Sequence, residues 1–406
     1  MTPFDALRLP FAYLTLADLL FLVCGMLVFR RADVGPSRNP FGPFWVLGLY
    51  MILVGYFSGA LFNGSAPAMD SVTNGLQLAF VFAYLPWLIA RYGQMDHLLL
   101  LRTFVLGLTA SVVAGAVIQT YFPGMHGTLS SLGLYSTSER RFGAFIGSNG
   151  LAKLIASMVP IVILLIVSKR FDVRSGAVVL VTLLFGLVLT ASNGGALALA
   201  VGLVSILLLV RGPKVRRVLF AVMVLTAGLV WLGVRVLGLN TSVFTTRVYE
   251  TLLAGDIESA GSFEQKLAIV RVALGELARN PLLGRGAGWF ADAFGINVHN
   301  TYLLIWVEAG AFGLLGLILI LTTQATLSLR MGRFAQPSPL AGLALSFLIV
   351  FSFNLLTGTD MYQRFRILPL ALLAFVLDAE FRRLLSESPD HGRGRGEDSM
   401  TAGASS

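Results

Sequence analysis

Residues 194–210 form an uncharged apolar run, Gly194-Gly-Ala-Leu-Ala-Leu-Ala-Val-Gly-Leu-Val-Ser-Ile-Leu-Leu-Leu-Val210. A basic segment with Arg211, Lys214, Arg216 and Arg217 follows it directly. Apolar stretches of about 17–25 residues can cross a bilayer as helices, and Lys and Arg concentrate in the cytoplasmic links between such helices. This stretch therefore predicts a transmembrane helix that ends in the cytoplasm.

The composition of the whole chain extends this prediction to the entire protein. Of 406 residues, 56% are hydrophobic and only 13% are charged, whereas soluble domains carry about 25% charged residues. Soluble multidomain enzymes, disordered chains and disulfide scaffolds are therefore excluded. The single cysteine, Cys24, can form neither an internal disulfide nor a Cys-based metal site.

Apolar runs of this kind recur along the chain and predict an all-α polytopic membrane protein with about eleven (10–12) transmembrane helices. The predicted spans are approximately 11–29, 43–62, 75–90, 98–121, 148–168, 175–192, 194–210, 218–238, 300–329, 340–357 and 367–380. Residues 1–385 are expected to form one transmembrane domain. The polar, Gly-rich segment 386–406 is expected to be a disordered tail.

Alternate links between the spans are basic, and the positive-inside rule places these links in the cytoplasm. The basic links contain Arg30-Arg31, Arg91, Lys169-Arg170, Arg216-Arg217, Arg330 and Arg382-Arg383. With an odd number of spans, the N-terminus is then outside and the C-terminal tail is cytoplasmic. The net charge of +9 therefore reflects membrane topology and does not indicate nucleic-acid binding.

The longest outer link, approximately 239–299, contains one predicted amphipathic helix. Ser262 and Gln265 form a capping-box start, and Asn280-Pro281 ends the helix. Apolar residues recur in it at helical spacing, namely Phe263, Leu267, Val270, Leu274 and Leu277. Its polar face offers Lys266 and Arg271 as binding residues, although an interfacial helix whose charges meet only water and headgroups would show the same pattern.

Four arginines in the outer links oppose the orientation rule: Arg140, Arg141, Arg364 and Arg366. Arg forms bidentate, charge-assisted hydrogen bonds to phosphate, and lipid phosphates are abundant near a membrane. We therefore predict that members of both pairs line one cavity open to the outer leaflet. The alternative is that each side chain only reaches the lipid headgroups.

His299 lies where the long outer link enters the next span, and Asn300 follows it. A histidine at this place can take up a proton near neutral pH, as a general base must. The alternative is an interfacial histidine bonded to a backbone carbonyl.

The stretch His299-Asn-Thr-Tyr-Leu-Leu-Ile-Trp-Val-Glu308-Ala-Gly310-Ala-Phe-Gly313 resembles the signature of the O-antigen ligase and polymerase superfamily. Two further segments resemble motifs of that family: Asn280-Pro-Leu-Leu-Gly284-Arg-Gly286 and Arg140-Arg-Phe-Gly143-Ala-Phe-Ile-Gly-Ser-Asn149-Gly-Leu-Ala152. The chain departs from the family at Asn193 and Lys266, where arginine is common. Lys266 keeps the charge but loses the bidentate fork.

The resemblance implies a glycosyltransferase of the bacterial inner membrane with its active site on the periplasmic face. Such an enzyme moves a glycan from a polyprenyl-diphosphate carrier to a hydroxyl of an acceptor glycan or lipid A core, without cofactor or metal. His299 would be the general base. The substrate-binding residues would be Arg140, Arg141, Lys266, Arg271, Asn300, Arg364 and Arg366. Apart from the resemblance, Glu308 lies nine residues past His299, about 13 Å further along a helix, so it is expected to be a structural partner of a buried cation such as Lys153 and not a second catalytic group.

Two other function classes fit a polytopic membrane protein, namely a polysaccharide or lipid transporter (flippase) and a non-catalytic scaffold. Transporter sites lie near the bilayer midplane, whereas the polar candidates of this sequence collect in the outer links. The sequence leaves open the choice between ligase and polymerase and the identity of the acceptor.

Overall fold

A computed structural model of the chain describes residues 21–27, 40–63, 68–91, 96–125, 128, 142–144, 146–210, 212–235, 263–331, 339–358 and 364–387. Within these ranges the chain is built of helices and short connections, and it contains no β-strand. The tail predicted from residue 386 onwards lies outside the described residues, apart from its first two positions. The all-helical fold class is confirmed.

The helices are numbered in chain order. They are α1 (Gly42–Asn63), α2 (Ala68–Ala79), a π-helical turn (Phe80–Tyr84), α3 (Leu85–Arg91), α4 (His97–Tyr121), α5 (Ser148–Val167), α6 (Val173–Leu189), α7 (Asn193–Leu209), α8 (Pro213–Arg235), α9 (Phe263–Arg279), α10 (Trp289–Phe294), α11 (Thr301–Met331), α12 (Pro339–Leu356) and α13 (Arg364–Glu387).

Each predicted span after the first coincides with a helix, and α9 coincides with the predicted amphipathic helix. Among the described residues, six helical segments are long and apolar enough to cross a membrane: Gly42–Asn63, Ser71–Arg91, His97–Tyr121, Ser148–Val167, Thr301–Met331 and Pro339–Leu356. Two shorter apolar helices, Val173–Leu189 and Asn193–Leu209, accompany them. The chain is thus a multi-pass membrane protein by length and composition, and the count of eleven spans stays a prediction.

Helix α5 forms the centre of the bundle. Every side chain from Leu151 to Leu165 is buried, and α6, α7 and α12 pack against it. A helix that is apolar all round is expected to lie inside a bundle and not at its surface. The motif segment that precedes Ser148 thus leads directly into the central helix of the bundle.

Helices α1 and α11 pack closely along glycine positions. A Cβ at Gly48 would lie 2.5 Å from the Gly316 carbonyl oxygen, and one at Gly55 would lie 2.1 Å from the Ala309 carbonyl oxygen. Small residues at such crossings let two backbones approach, which membrane helices use in place of hydrophobic association. This interface holds α11, the helix that follows His299, against α1.

Two of the basic links meet at one end of the bundle. Arg170 forms an ion pair with Asp96 at 2.5 Å, and the Arg102 guanidinium lies 5.4 Å from the ring centre of Phe171. Nearby, Asp172 begins α6 and accepts hydrogen bonds from the hydroxyl and backbone N–H of Ser175, which lower the pKa of its carboxyl group. The opposite end, where α5, α7, α11 and α13 begin and α12 ends, is called the site end below.

Candidate functional site

Hydrogen bonds between helix ends assemble the site end. The Thr301 hydroxyl, in the first turn of α11, donates to the Gly358 carbonyl just past α12. The Ser192 hydroxyl, which caps α7, donates to the Asn149 side-chain oxygen at 3.0 Å. These two bonds join α11 to α12 and α7 to α5, at the end of the bundle that carries His299.

His299 lies between a buried residue, Val298, and the residue that caps α11, Asn300. Val298 is fully buried against α9 and α11. The Asn300 side-chain oxygen accepts the Leu303 N–H at 3.1 Å, and its carbonyl accepts the Leu304 N–H at 2.9 Å. Asn300 thus caps α11. The backbone on both sides of His299 is fixed while its own side chain is exposed.

Arg366 lies inside the bundle, in the first turn of α13. Its side chain is only 4% exposed, and Nη2 donates to the Gly150 carbonyl at 3.3 Å. It borders a small cavity that is also lined by Ser157 and Asn354. This is not the position of a side chain that reaches lipid headgroups. Arg366 instead joins α13 to the motif segment that begins α5.

Lys153 is the second buried cation near the site end. Its Nζ donates to the Thr357 carbonyl at 2.6 Å, at the end of α12. A cation is favourable there because the last carbonyls of a helix carry partial negative charge. Asn354 supports this contact, since its Nδ2 donates to the Lys153 carbonyl at 3.1 Å and to the Ser157 hydroxyl at 2.9 Å.

The predicted pairing of Glu308 with a buried cation such as Lys153 is wrong. Glu308 is buried, and its carboxylate accepts the backbone N–H of Phe290 at 3.4 Å. The pairing fails because α11 is interrupted close to Glu308 and a loop segment enters the gap. The first turn of α10, which follows that segment, supplies the backbone N–H that meets the carboxylate, while Lys153 bonds to the end of α12.

The interruption of α11 lies at Gly310, whose backbone is non-helical with φ 69° and ψ −171°. In an unbroken helix the Val307 carbonyl would accept the N–H of residue 311. Instead Val307 accepts the Arg285 N–H at 2.9 Å, and the Ala311 N–H donates to the Pro281 carbonyl at 3.0 Å. From the sequence, a glycine at this place in an apolar run is expected to be a helix-packing position, and this expectation is wrong because Gly310 forms a break.

The turn 281–286 therefore inserts into the helix break, and the two motifs complete each other's hydrogen bonds. A Cβ at Gly284 would lie 2.5 Å from the Glu308 carbonyl oxygen. On the opposite side of the turn, the Asn63 side chain donates to the Gly284 carbonyl. Irregular backbone at membrane depth is tolerated only where protein satisfies it, and this turn meets that requirement.

Arg285 and Glu276, neither of which is among the predicted site residues, form an ion pair in this region. Arg285 Nη2 pairs with Glu276 Oε2 at 2.9 Å, and the guanidinium lies 5.2 Å from the ring centre of Trp289. The pair ties α9 to the turn and to α10. The only sequence signal was the position of Arg285 between two glycines of the motif.

Lys266 and Arg271 are exposed on α9, and within the described part of the chain neither makes a hydrogen bond or an ion pair. The buried face of α9 consists of Ile269, Ala273 and Leu277. The buried face is therefore rotated around the helix relative to the predicted apolar stripe, because Leu267 and Leu274 of that stripe are exposed. Helix α9 packs on α11 with only part of its apolar surface.

Some predicted site residues fall outside the described residues, namely Arg140, Arg141 and the side chain of Arg364. The rest of their motif is described. The Gly147 N–H donates to the Gly143 carbonyl at 2.9 Å, and the buried Phe142 donates its N–H to the Leu189 carbonyl at 3.3 Å. This turn holds the start of α5 against the end of α6, beside the exposed Asn193.

Comparison with known proteins bears on these same elements. Residues 178–318 match the sequence model of the family described as O-antigen ligase. This match confirms the resemblance to the O-antigen ligase and polymerase superfamily. It runs from α6 to the middle of α11 and includes Lys266, Arg271, His299 and Asn300, whereas Arg366 lies beyond it. No curated protein matches the chain. At the level of the family, the match supports an O-antigen ligase-type membrane glycosyltransferase.

Proposed function

We propose that the chain transfers a glycan from a polyprenyl-diphosphate carrier to an acceptor hydroxyl, at the periplasmic face of the bacterial inner membrane. One observation carries the proposal: His299 is exposed between the buried Val298 and the capping Asn300, within the O-antigen ligase match. A rigid backbone that presents an exposed imidazole suits a general base, which must reach the proton that it removes.

In this reaction the acceptor oxygen attacks the anomeric carbon of the donor sugar as His299 takes the hydroxyl proton. The bond from that carbon to the diphosphate oxygen breaks, and the polyprenyl diphosphate leaves with the electron pair. A single displacement of this kind inverts the anomeric configuration. The step needs negative charge stabilised on the leaving group, and cationic side chains can supply this without a metal.

At the site end, two exposed cationic side chains and one buried cationic side chain support donor binding. Lys266 and Arg271 are exposed on α9, where a diphosphate at headgroup level can be reached. Arg366 is buried beneath the surface beside Gly150, so its charge acts through a low-dielectric medium. Arg140, Arg141 and Arg364 are proposed to complete the set, as their sequence positions at this end suggest.

The transporter alternative is less well supported. A transporter site would combine polar groups near the bilayer midplane. In the described residues, the buried Lys153 bonds to the end of α12, and the buried Glu308 carboxylate accepts the backbone N–H of Phe290 in the first turn of α10. Both groups thus have structural contacts close to helix ends or breaks.

The proposal is tested with purified protein in liposomes that contain a lipid-linked glycan donor and an acceptor. Transfer predicts that free polyprenyl diphosphate and glycosylated acceptor form in equal amounts. A flippase would move the donor across the bilayer with no release of carrier, and a scaffold would do neither. Absence of release at saturating donor and acceptor would overturn the proposal.

A further inference from the structure

Helix α9 has an exposed apolar edge beside the face that it buries. Ile269, Ala273 and Leu277 pack against α11, whereas Leu267 is 38% and Leu274 is 52% exposed. Positions seven residues apart lie almost directly above one another on a helix. Leu267 and Leu274 therefore form one continuous edge, next to the buried face and not opposite to it.

The turn that follows α9 and enters α11 also exposes apolar side chains. Leu282 is 62% exposed, and the adjoining Leu283 is also exposed. The turn rests on two membrane-spanning helices. A Cβ at Gly59 of α1 would lie 3.0 Å from the Leu283 carbonyl oxygen, and one at Gly310 of α11 would meet the Leu282 backbone.

The same two helices also expose apolar side chains close in sequence to the glycines that the turn meets. Leu61 and Phe62 of α1 and Phe312 and Leu315 of α11 are all exposed. Because α1 and α11 are candidate membrane spans, these side chains are expected to face lipid. The apolar edge of α9 and the turn that follows it are thus exposed at the same end of α1 and α11 at which these helices expose apolar side chains.

We infer that α9 lies in the membrane interface at the site end, with Leu267, Leu274 and Leu282 in contact with lipid acyl chains. An amphipathic helix in this position buries its apolar edge a few ångströms below the headgroups and keeps its polar side in water. Arg271 lies four residues after Leu267 and three residues before Leu274. The aliphatic part of its side chain can therefore pack along the apolar edge while its guanidinium group reaches the lipid phosphates.

Val272, which lies on the other side of α9 from the apolar edge, serves as the reference position. Val272 is 41% exposed and lies two residues before Leu274, which places it about 200° away around the helix. It is aliphatic and exposed to a similar extent, but it points away from the apolar edge. An isolated exposed valine is ordinary on a protein surface, so Val272 is expected to face water.

The experiment compares these two positions in the full chain. Cys24, the only cysteine, is replaced by serine, and Leu274→Cys or Val272→Cys is labelled with an environment-sensitive fluorophore. The protein is reconstituted into vesicles of zwitterionic and anionic phospholipid. The label at 274 is expected to emit at shorter wavelength and to be quenched several-fold more by a nitroxide on the lipid acyl chain. The label at 272 is expected to be quenched more by aqueous iodide.

Equal quenching by iodide at both positions would overturn the inference, because α9 would then stand clear of the membrane. Protection of position 274 from both quenchers would also overturn it, since the edge would be covered by protein, such as a second copy of the chain. A variant with poor folding is recognised by its elution in size-exclusion chromatography, and Leu267→Cys then provides the second reading of the same edge. The result does not depend on glycan transfer.

Discussion

The backbone N–H of Gly286 donates to the Glu308 carbonyl at 2.9 Å, across the break in α11. This bond joins two motifs that lie more than 20 positions apart in the sequence. Because His299 lies between them in the chain, the joint closes a loop that contains His299. This loop starts at the break in α11 and leads into the first turn of the same helix. The position of His299 relative to α11 is therefore fixed.

Gly310→Ala should destabilise the protein strongly. The position has φ 69°, and a Cβ would lie 2.0 Å from the Leu282 carbonyl oxygen, which is backbone and cannot move aside cheaply. A non-glycine residue held in such backbone costs about 1–3 kcal/mol before any clash is counted. The loss should appear as a lower midpoint of thermal unfolding in detergent and as reduced transfer.

Gly107→Ala is the matched control for this substitution. Gly107 lies in α4, and a Cβ there would meet nothing within 4 Å. Alanine is favoured over glycine within a helix by about 0.5–1 kcal/mol, so this variant should unfold at an equal or higher temperature. A Gly310→Ala protein as stable as Gly107→Ala would show that the turn does not occupy the break.

Loss of the Arg285 side chain should weaken the attachment of α9 far more than loss of Arg279. Both arginines pair with Glu276, at 2.9 Å and 2.7 Å, but Arg279 is 71% exposed while Arg285 is 20% exposed. Exposed pairs contribute about 0–1 kcal/mol, whereas contacting, partly buried groups show coupling of about 0.5–3 kcal/mol. A double-mutant cycle of Arg285→Met with Glu276→Gln measures the difference, and the same cycle with Arg279→Met is its control. Equal coupling energies in the two cycles would contradict the assigned role of Arg285.

Arg366→Lys should reduce glycan transfer while the protein remains folded. Lysine keeps the positive charge but lacks the planar fork of arginine, so the contact with the Gly150 carbonyl and any phosphate geometry that depends on the fork are lost. Arg382→Lys is the control, because Arg382 lies in the same helix, pairs with Asp378 and is exposed. Initial rates at varied donor concentration check the prediction, and a normal rate for Arg366→Lys would remove Arg366 from the donor site.

Most helices of this fold could be predicted from the sequence, because apolar length and basic links are local properties. The bounds of α5 and α9 illustrate this, since Ser148 and the Asn280-Pro281 pair mark them in the sequence. The break at Gly310 could not be predicted, because a glycine in an apolar run also fits a helix-packing position. Only the three-dimensional approach of Leu282 distinguishes the two.

Part of the candidate site could also be predicted from the sequence, because some of its features depend only on local position in the chain. His299 and Asn300 stand at a helix entrance that the sequence shows directly, so the exposure of one and the capping by the other follow from position. The burial of Arg366 and the contact of Lys153 with Thr357 depend on how α12 and α13 fold back onto α5. No local pattern carries that information.

Asn300→Ala should give an intermediate loss of transfer and a small loss of stability. The Asn300 side chain caps α11 through the Leu303 N–H, and removal of such a cap costs about 1 kcal/mol. Asn300→Asp keeps the capping oxygen and should restore stability. If Asn300→Asp also restores transfer, the residue acts by positioning His299 through the cap. If transfer stays low while stability returns, Asn300 contacts the substrate directly.

His299→Ala should abolish detectable glycan transfer at unchanged expression and folding. The side chain is exposed, so its removal creates no cavity, while loss of general-base help typically lowers a rate by about 10²–10⁴-fold. His126→Ala is the control, since this histidine lies in a predicted outer link away from the motif. Release of polyprenyl diphosphate by the purified variants measures the effect. A wild-type rate for His299→Ala would reject the histidine as the base, and so would accessibility labelling that placed the segment before His299 on the cytoplasmic side, because the histidine would then face the opposite compartment from the donor.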